Sequence, residues 1–188
     1  MTMPRVTEIL KYYSSYDKVP KEILNKAAER GTIVHAICAN IAKGAWVPDS
    51  TINPTHLSYV ESFRLWSNEV VETFDIIEKR YSDEDLYYTG QLDFVITTKD
   101  GKKMLVDLKT SCAPQKTYPI QMAAYYNLLK KHGEEVEGAL IVYINKSGTY
   151  PSVYTIEDFT IPLEIFNCAL KCWKHFNPRK FKKDNKEE

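Results

Sequence analysis

The chain has 188 residues, 44% of them hydrophobic and 27% charged, enough for one soluble domain with a sizeable core. Twenty-five basic residues balance 25 acidic ones, so the chain lacks the overall positive charge of a general polyanion binder, although a local basic groove can coexist with neutrality. No apolar run is long enough to span a bilayer, and the opening stretch MTMPRVTEIL has no signal-peptide core, which points to an intracellular protein.

RVTEILKYY reads as a short first helix. From about Lys21 to Lys43, Leu24, Ala27, Ala28, Gly31, Val34, His35, Cys38 and Ala42 recur at three and four, the spacing of a long helix. WVPDSTINP is a loop. Asn53 and Pro54 read as N-cap and first residue of a second long helix, to about Thr73. From Phe74 the period changes: FDIIEKRYS is a strand candidate, and Gly90–Ser111 reads as a hairpin of two apolar strands. YPIQMAAYYNLLKKHG returns to helical spacing and stops at Gly133, a C-terminal cap. GALIVYINK and YPSVYTIED are two more strands, and IPLEIFNCALKCWKHF is a final amphipathic helix. This order defines an α/β fold over residues 1–177, a central mixed β-sheet flanked by helices with an N-terminal helical segment. The tail, 178–188, is charged throughout and reads as disordered.

Cys38, Cys112, Cys168 and Cys172 are scattered, with no C-x-x-C pair. They read as reduced, mostly buried thiols rather than a disulfide framework.

The hairpin is where chemistry enters. Its strands are apolar, yet Asp93 lies in the first and Asp107 and Lys109 in the second, and buried charge is costly unless paired or metal-bound. Asp107 and Lys109 share a face because side chains alternate. A two-residue loop at Asp100-Gly101 would put Asp93 on the opposite face. A three-residue loop, Lys99-Asp100-Gly101, with Gly101 left-handed, pairs Thr98 with Lys102 and sets Asp93 across from Asp107. The three-residue loop is expected, because it gathers the charges into one site. Opposed carboxylates repel unless a cation lies between them or one is protonated; oxygen-rich pairs of this kind suit Mg²⁺ or Mn²⁺. The alternative is a structural Asp107–Lys109 ion pair.

GQLDF, VDLKTS and QMAAY, in this order and preceded by RGTIVHAI, resemble the RecB-like exonuclease branch of the PD-(D/E)XK nuclease superfamily. That branch has a helical histidine motif, G-x-x-D, D/E-x-K and Q-x-x-x-Y. The opening MPRVTEIL is similar to small stand-alone viral and mitochondrial genome maintenance exonucleases, and the likeness covers residues 4 to 145. It implies a restriction-endonuclease-like core and Mg²⁺- or Mn²⁺-dependent hydrolysis of DNA, on ends or single strands. His35, Asp93, Asp107 and the Leu108 carbonyl would hold one or two metals, Lys109 would position the attacking water, and Gln121 and Tyr125 would support the lysine or contact the strand. It also implies a helicase, recombinase or single-strand-binding partner, and the cytoplasm of a bacterial or virus-infected cell. The rivals are a structure-specific endonuclease on the same core and a catalytically silent binding module.

Each residue also has a plainer reading. His35 on a stripe of small residues can be a core histidine, and Gln121 and Tyr125, one helical face by spacing, can be packing. Glu78 either helps at the metal or faces solvent. Thr110 and Ser111 either donate to a phosphate or cap a turn. Tyr12, Tyr13, Tyr16 and Tyr118 are stacking candidates or buried rings, and Arg179, Lys180, Lys182 and Lys183 touch phosphate or are solvated. The cysteine spacing does not match the four-cysteine pattern of iron–sulfur relatives, so no cluster is expected.

Overall fold

The computed structural model describes residues 3–14, 19–111 and 113–178. Cys112, Tyr16 and the basic residues from Arg179 onward lie outside that range. A short helix α1 (Val6–Leu10) leads to two long ones, α2 (Lys21–Ala42) and α3 (Pro54–Val70). The start of α3 is capped as the sequence implies: the Asn53 side chain accepts from the Thr55 N–H at 3.0 Å, with Pro54 at the first helical position.

Seven strands follow where five were expected: β1 (Val71–Ile77), β2 (Arg80–Asp83), β3 (Tyr88–Gln91), β4 (Phe94–Thr98) and β5 (Lys103–Lys109), then, after α4 (Thr117–Lys131), β6 (Gly138–Tyr143) and β7 (Ser152–Ile156). The helix α5 (Thr160–Phe176) closes the described fold. The mixed sheet has the order β1-β4-β5-β6-β7, with only β5 and β6 parallel, joined through α4. β2 and β3 form a separate pair.

The extra strands arise from one bend. FDIIEKRYS divides because Glu78 adopts φ 49°, the left-handed region, which a strand cannot continue through. Its partner strand divides at Leu92-Asp93. Pairing runs through the break in one register: Ile77 with Phe94, Arg80 with Gln91, and, between them, the Glu78 N–H donates to the Asp93 carbonyl at 2.8 Å and the Leu92 N–H to the Lys79 carbonyl at 3.0 Å. β1-β2 and β4-β3 are therefore one antiparallel ribbon folded sharply at Asp93.

The hairpin between β4 and β5 has the three-residue loop. Phe94 faces Val106 and Thr97 faces Lys103, the Thr98 N–H donates to the Lys102 carbonyl at 2.9 Å, and Gly101 takes φ 86°. Continued by one step, this register sets Asp93 opposite Asp107.

Two hydrophobic layers enclose the sheet. On one face Val95, Leu105, Ala139 and Ile141 pack against α1, α4 and α5. On the other Phe94, Ile96, Val106, Leu108 and Val142 pack against α2 and α3. Helix α4 ends as expected: Gly133 has φ 77°, and the Glu134 N–H reaches back to the Leu129 carbonyl at 3.0 Å. The cysteines differ from expectation. Cys38 is buried, but Cys168 and Cys172 are exposed, because the buried stripe of α5 is Phe166, Ala169, Leu170 and Trp173. Among the described residues no helix is long and apolar enough to cross a membrane.

Candidate active site

The end of β5 carries the chemistry. Asp107 and Lys109 alternate with Leu108, so both project toward α4 while Leu108 enters the opposite core layer. Lys109 Nζ lies 2.6 Å from Asp107 Oδ2, a close and largely buried ion pair. Gln121, on α4, bridges the two: its Nε2 donates to Asp107 Oδ1 at 3.0 Å and its Oε1 accepts from Lys109 Nζ at 3.3 Å. The same Nε2 donates to the Tyr125 hydroxyl at 3.1 Å, which the four-residue spacing on one helix allows.

Asp93 is held from two sides. Its Oδ2 accepts from the Leu108 N–H at 2.8 Å, and its Oδ1 lies 3.2 Å from His35 Nδ1. An ionised carboxylate only accepts, so this partner places the imidazole proton on Nδ1. His35 arrives on α2, which passes Thr110 at Gly31, where a Cβ would make ordinary contact 3.8 Å from Thr110 Oγ1.

Gly90, at the head of G-x-x-D, has a steric task. A Cβ there would meet the Tyr125 ring at 2.6 and 2.8 Å and Leu128 at 3.0 Å. Only glycine lets Tyr125 lie across β3 beneath Gln121.

The electrostatics follow from burial and mutual proximity. For Asp107, burial pushes the pKa up and Asp93 adds to it, against Lys109 and His35; the net shift is upward. Burial also works to raise Asp93, but His35, Lys109 and the Leu108 N–H overcome it, and its pKa is lowered. For His35, burial lowers and the Asp93 carboxylate raises; the carboxylate wins, and the pKa is raised. Burial, with both carboxylates adding, drives Tyr125 well upward, so its hydroxyl keeps its proton.

The other expected residues fall around this centre. Glu78, with an ion pair to Lys43 at 3.7 Å, lines an open groove of about 740 Å³ shared with His35, Asp93, Lys109, Arg80 and Tyr125. The Thr110 carbonyl accepts from Arg30 Nη2 at 3.4 Å. Ser111 Oγ is 3.2 Å from the Tyr118 hydroxyl. Tyr118 is not a stacking platform: it is buried, and Lys109 Nζ lies over its ring, 4.4 Å from the centroid. Tyr12 and Tyr13 are exposed. The lysine-packing role of Tyr118 was readable from its position, one turn before Gln121 on α4; the use of Arg30 was not, although it directly precedes Gly31 in the histidine motif.

Among the described residues no three His, Cys, Asp or Glu side chains converge on one point. His35 and Asp93 are turned to each other, and Asp107 is turned to Lys109 and Gln121. The donor set nevertheless fits a hard divalent cation by its chemistry: two carboxylates, an imidazole and a backbone carbonyl.

A mixed sheet flanked by helices, with an aspartate opposite an Asp-x-Lys at the end of the central strand, defines a class of hydrolytic nucleases. The sequence matches the model of the PD-(D/E)XK nuclease superfamily over residues 9–184, and the chain belongs to that superfamily. Membership implies a nuclease, in a superfamily of nucleic-acid hydrolases that generally use divalent metal. No curated protein matches the sequence. A solved structure titled "Crystal structure of SSO0001" is similar at 19% identity and TM-score 0.34, covering 52% of this chain and 50% of that one. The chain thus spans about half the length of that structure.

Proposed function

We propose that the chain is a Mg²⁺- or Mn²⁺-dependent deoxyribonuclease of the RecB-like branch, degrading DNA from ends or along single strands during replication, recombination or repair. The observation that carries the reading is the β4–β5 register, which sets Asp93 across from Asp107 with Lys109 on the same face. A fold that only needed stability would not bury two opposed carboxylates, since apolar residues of similar volume serve as well or better.

Asp93 and Asp107 would hold the cation, with His35 and the Leu108 carbonyl completing its shell. Bound there, a divalent cation lowers the pKa of water and offsets charge developing at phosphorus. The chain's own groups do the positioning. Lys109 aims the attacking water and stabilises the developing phosphate charge. Gln121 fixes Lys109 through Oε1 and Asp107 through Nε2, so that both act from one frame, and Tyr125 holds Gln121. Thr110 and Ser111, directly beyond the lysine, contact substrate phosphate. Glu78, on the rim of the groove, assists the metal site. A helicase or single-strand-binding partner would supply opened DNA.

The test uses labelled linear and circular single-stranded DNA with Mg²⁺ or Mn²⁺. The wild type is expected to degrade the linear strand and spare the circle. Asp107→Ala and Lys109→Ala should each lose at least about a hundredfold in rate, the scale on which removal of a group stabilising transition-state charge is felt. Cleavage of the circle would replace the exonuclease reading with a structure-specific endonuclease. No metal-dependent cleavage by the wild type, or cleavage unchanged from wild type in both variants, would refute the catalytic reading and leave a binding module.

A further inference from the structure

Helix α2 separates two grooves. Helical residues advance about 100° each. Ala28, Gly31, Thr32 and His35 face the catalytic groove; Lys26, Glu29, Arg30 and Ile33 lie about half a turn round and line a second groove of about 520 Å³. It adjoins a third, of about 680 Å³, where β5 and β6 end. Arg30, Tyr59 and Lys146 line both of the latter.

Some cations of this protein meet carboxylates, as in Arg64–Asp49, Lys103–Glu134 and Lys131–Asp83, and many others do not; the 520 Å³ groove sets Lys26, Arg30 and Lys146 against one carboxylate, Glu29. Among the described residues Arg30 and Lys146 have no such ion pair, and the 680 Å³ groove has no carboxylate in its described lining. Arg30 is also held in place: its guanidinium lies over the Tyr59 ring, 5.3 Å from the centroid, and Nη2 donates to the Thr110 carbonyl at 3.4 Å. The groove adds the hydroxyl-bearing Ser111 and Ser147. A planar guanidinium held in place, a second cation and nearby hydroxyls match a phosphate group.

We propose that Arg30 and Lys146 form a phosphate-binding subsite for the nucleic-acid strand, on the side of α2 away from the catalytic groove. It rests on the nuclease reading for its ligand but not on catalysis. Because Arg30 is tied to Thr110, the residue after Lys109, a phosphate bound there is registered against the catalytic lysine. The phosphate is either a strand-terminal monoester or an internal diester; both offer the same oxygens.

The experiment measures binding of the full chain to fluorescent single-stranded DNA by anisotropy, in EDTA, over a range of salt. The oligonucleotides carry a 5′-phosphate, a 3′-phosphate or hydroxyls at both ends. Arg30→Gln should raise Kd about tenfold, the scale of one charge-assisted hydrogen bond. It should also flatten the slope of log Kd against log salt by about 0.7, one single-strand phosphate contact. Arg30→Lys should recover part of the affinity. A loss seen on every oligonucleotide identifies a diester, and one confined to a phosphorylated end identifies a terminal phosphate; either supports the subsite. Lys146 is exposed, so Lys146→Ala tests the same prediction without threatening the fold. Wild-type affinity and salt slope in both Arg30→Gln and Lys146→Ala would overturn the subsite. Metal-dependent cleavage, assayed separately, keeps the two readings apart: its absence from a wild type whose DNA binding depends on Arg30 sinks the catalytic reading alone.

Discussion

At the scale of single residues, the site depends on what surrounds its charged groups as much as on the groups themselves. Gly90 is the clearest case. With a Cβ 2.6 Å from the Tyr125 ring, Gly90→Ala forces either the ring or β3 to move. Overpacking of this kind costs about 1–3 kcal/mol, and the moving ring carries the hydroxyl that braces Gln121. Gly90→Ala should therefore lower Tm by several degrees and reduce kcat more than KM. Restoring room with Tyr125→Leu in the same chain should recover stability but not rate. If Gly90→Ala leaves both Tm and kcat at wild-type values, the glycine has no steric role at the site. The sequence presented Gly90 only as a motif letter; the ring above it lies 35 positions away, and no local pattern announces a contact of that separation. The two cysteines of α5 were misread as buried thiols although a local pattern was there to correct it. Phe166, Ala169, Leu170 and Trp173 recur at three and four, and Cys168 and Cys172 fall off that stripe.

At the scale of elements, helices were read well because their signals are local: periodicity, the Asn53-Pro54 start and the Gly133 stop. The break that divides two expected strands was not readable, because it rests on a glutamate in the left-handed region, at Glu78, where sequence leads one to expect glycine. That break matters, because it leaves Asp93 at the fold of the ribbon, outside regular pairing yet opposite Asp107. The loop Lys99-Asp100-Gly101 and the core agree on register, and their relative weight can be tested. Gly101→Val removes the left-handed residue that the three-residue loop needs. A one-residue slip to another turn would move Phe94 and Ile96 from the α3 layer to the α4 layer and Val95 the other way, a reversal that buried strands resist. The chain should instead hold its register and strain the turn. The expected result is a loss of about 2 kcal/mol in stability, read from urea unfolding, with cleavage retained within a few-fold. Abolished cleavage at unchanged stability would mean that the loop, not the core, sets the register.

At the scale of the whole molecule, the site's charges link folding, pH and metal. His35 and Asp107 both have folded-state pKa values raised above their unfolded ones. The folded chain therefore holds protons that the unfolded chain has released, and stability falls as pH rises through each raised value. Asp93 is lowered, so its contribution is complete above the ordinary aspartate range near pH 4 and is lost as pH falls through the lowered value. The metal-free protein should therefore lose stability as pH rises above the ordinary histidine range, where His35 gives up its proton. A divalent cation held by the folded state alone offsets that loss, and it competes with protons for the same groups. Mn²⁺ at a hundred times its Kd contributes about 2.7 kcal/mol, which for a chain of this length is a rise of roughly 5–10 °C in Tm. Thermal unfolding with and without Mn²⁺ should thus show a smaller shift at pH 5.5, where His35 holds its proton, than at pH 8. Asp107→Asn should flatten the metal-free pH dependence and remove most of the Mn²⁺ effect. Equal Mn²⁺ shifts at both pH values, or an undiminished shift in Asp107→Asn, would place the cation somewhere other than between these two strands.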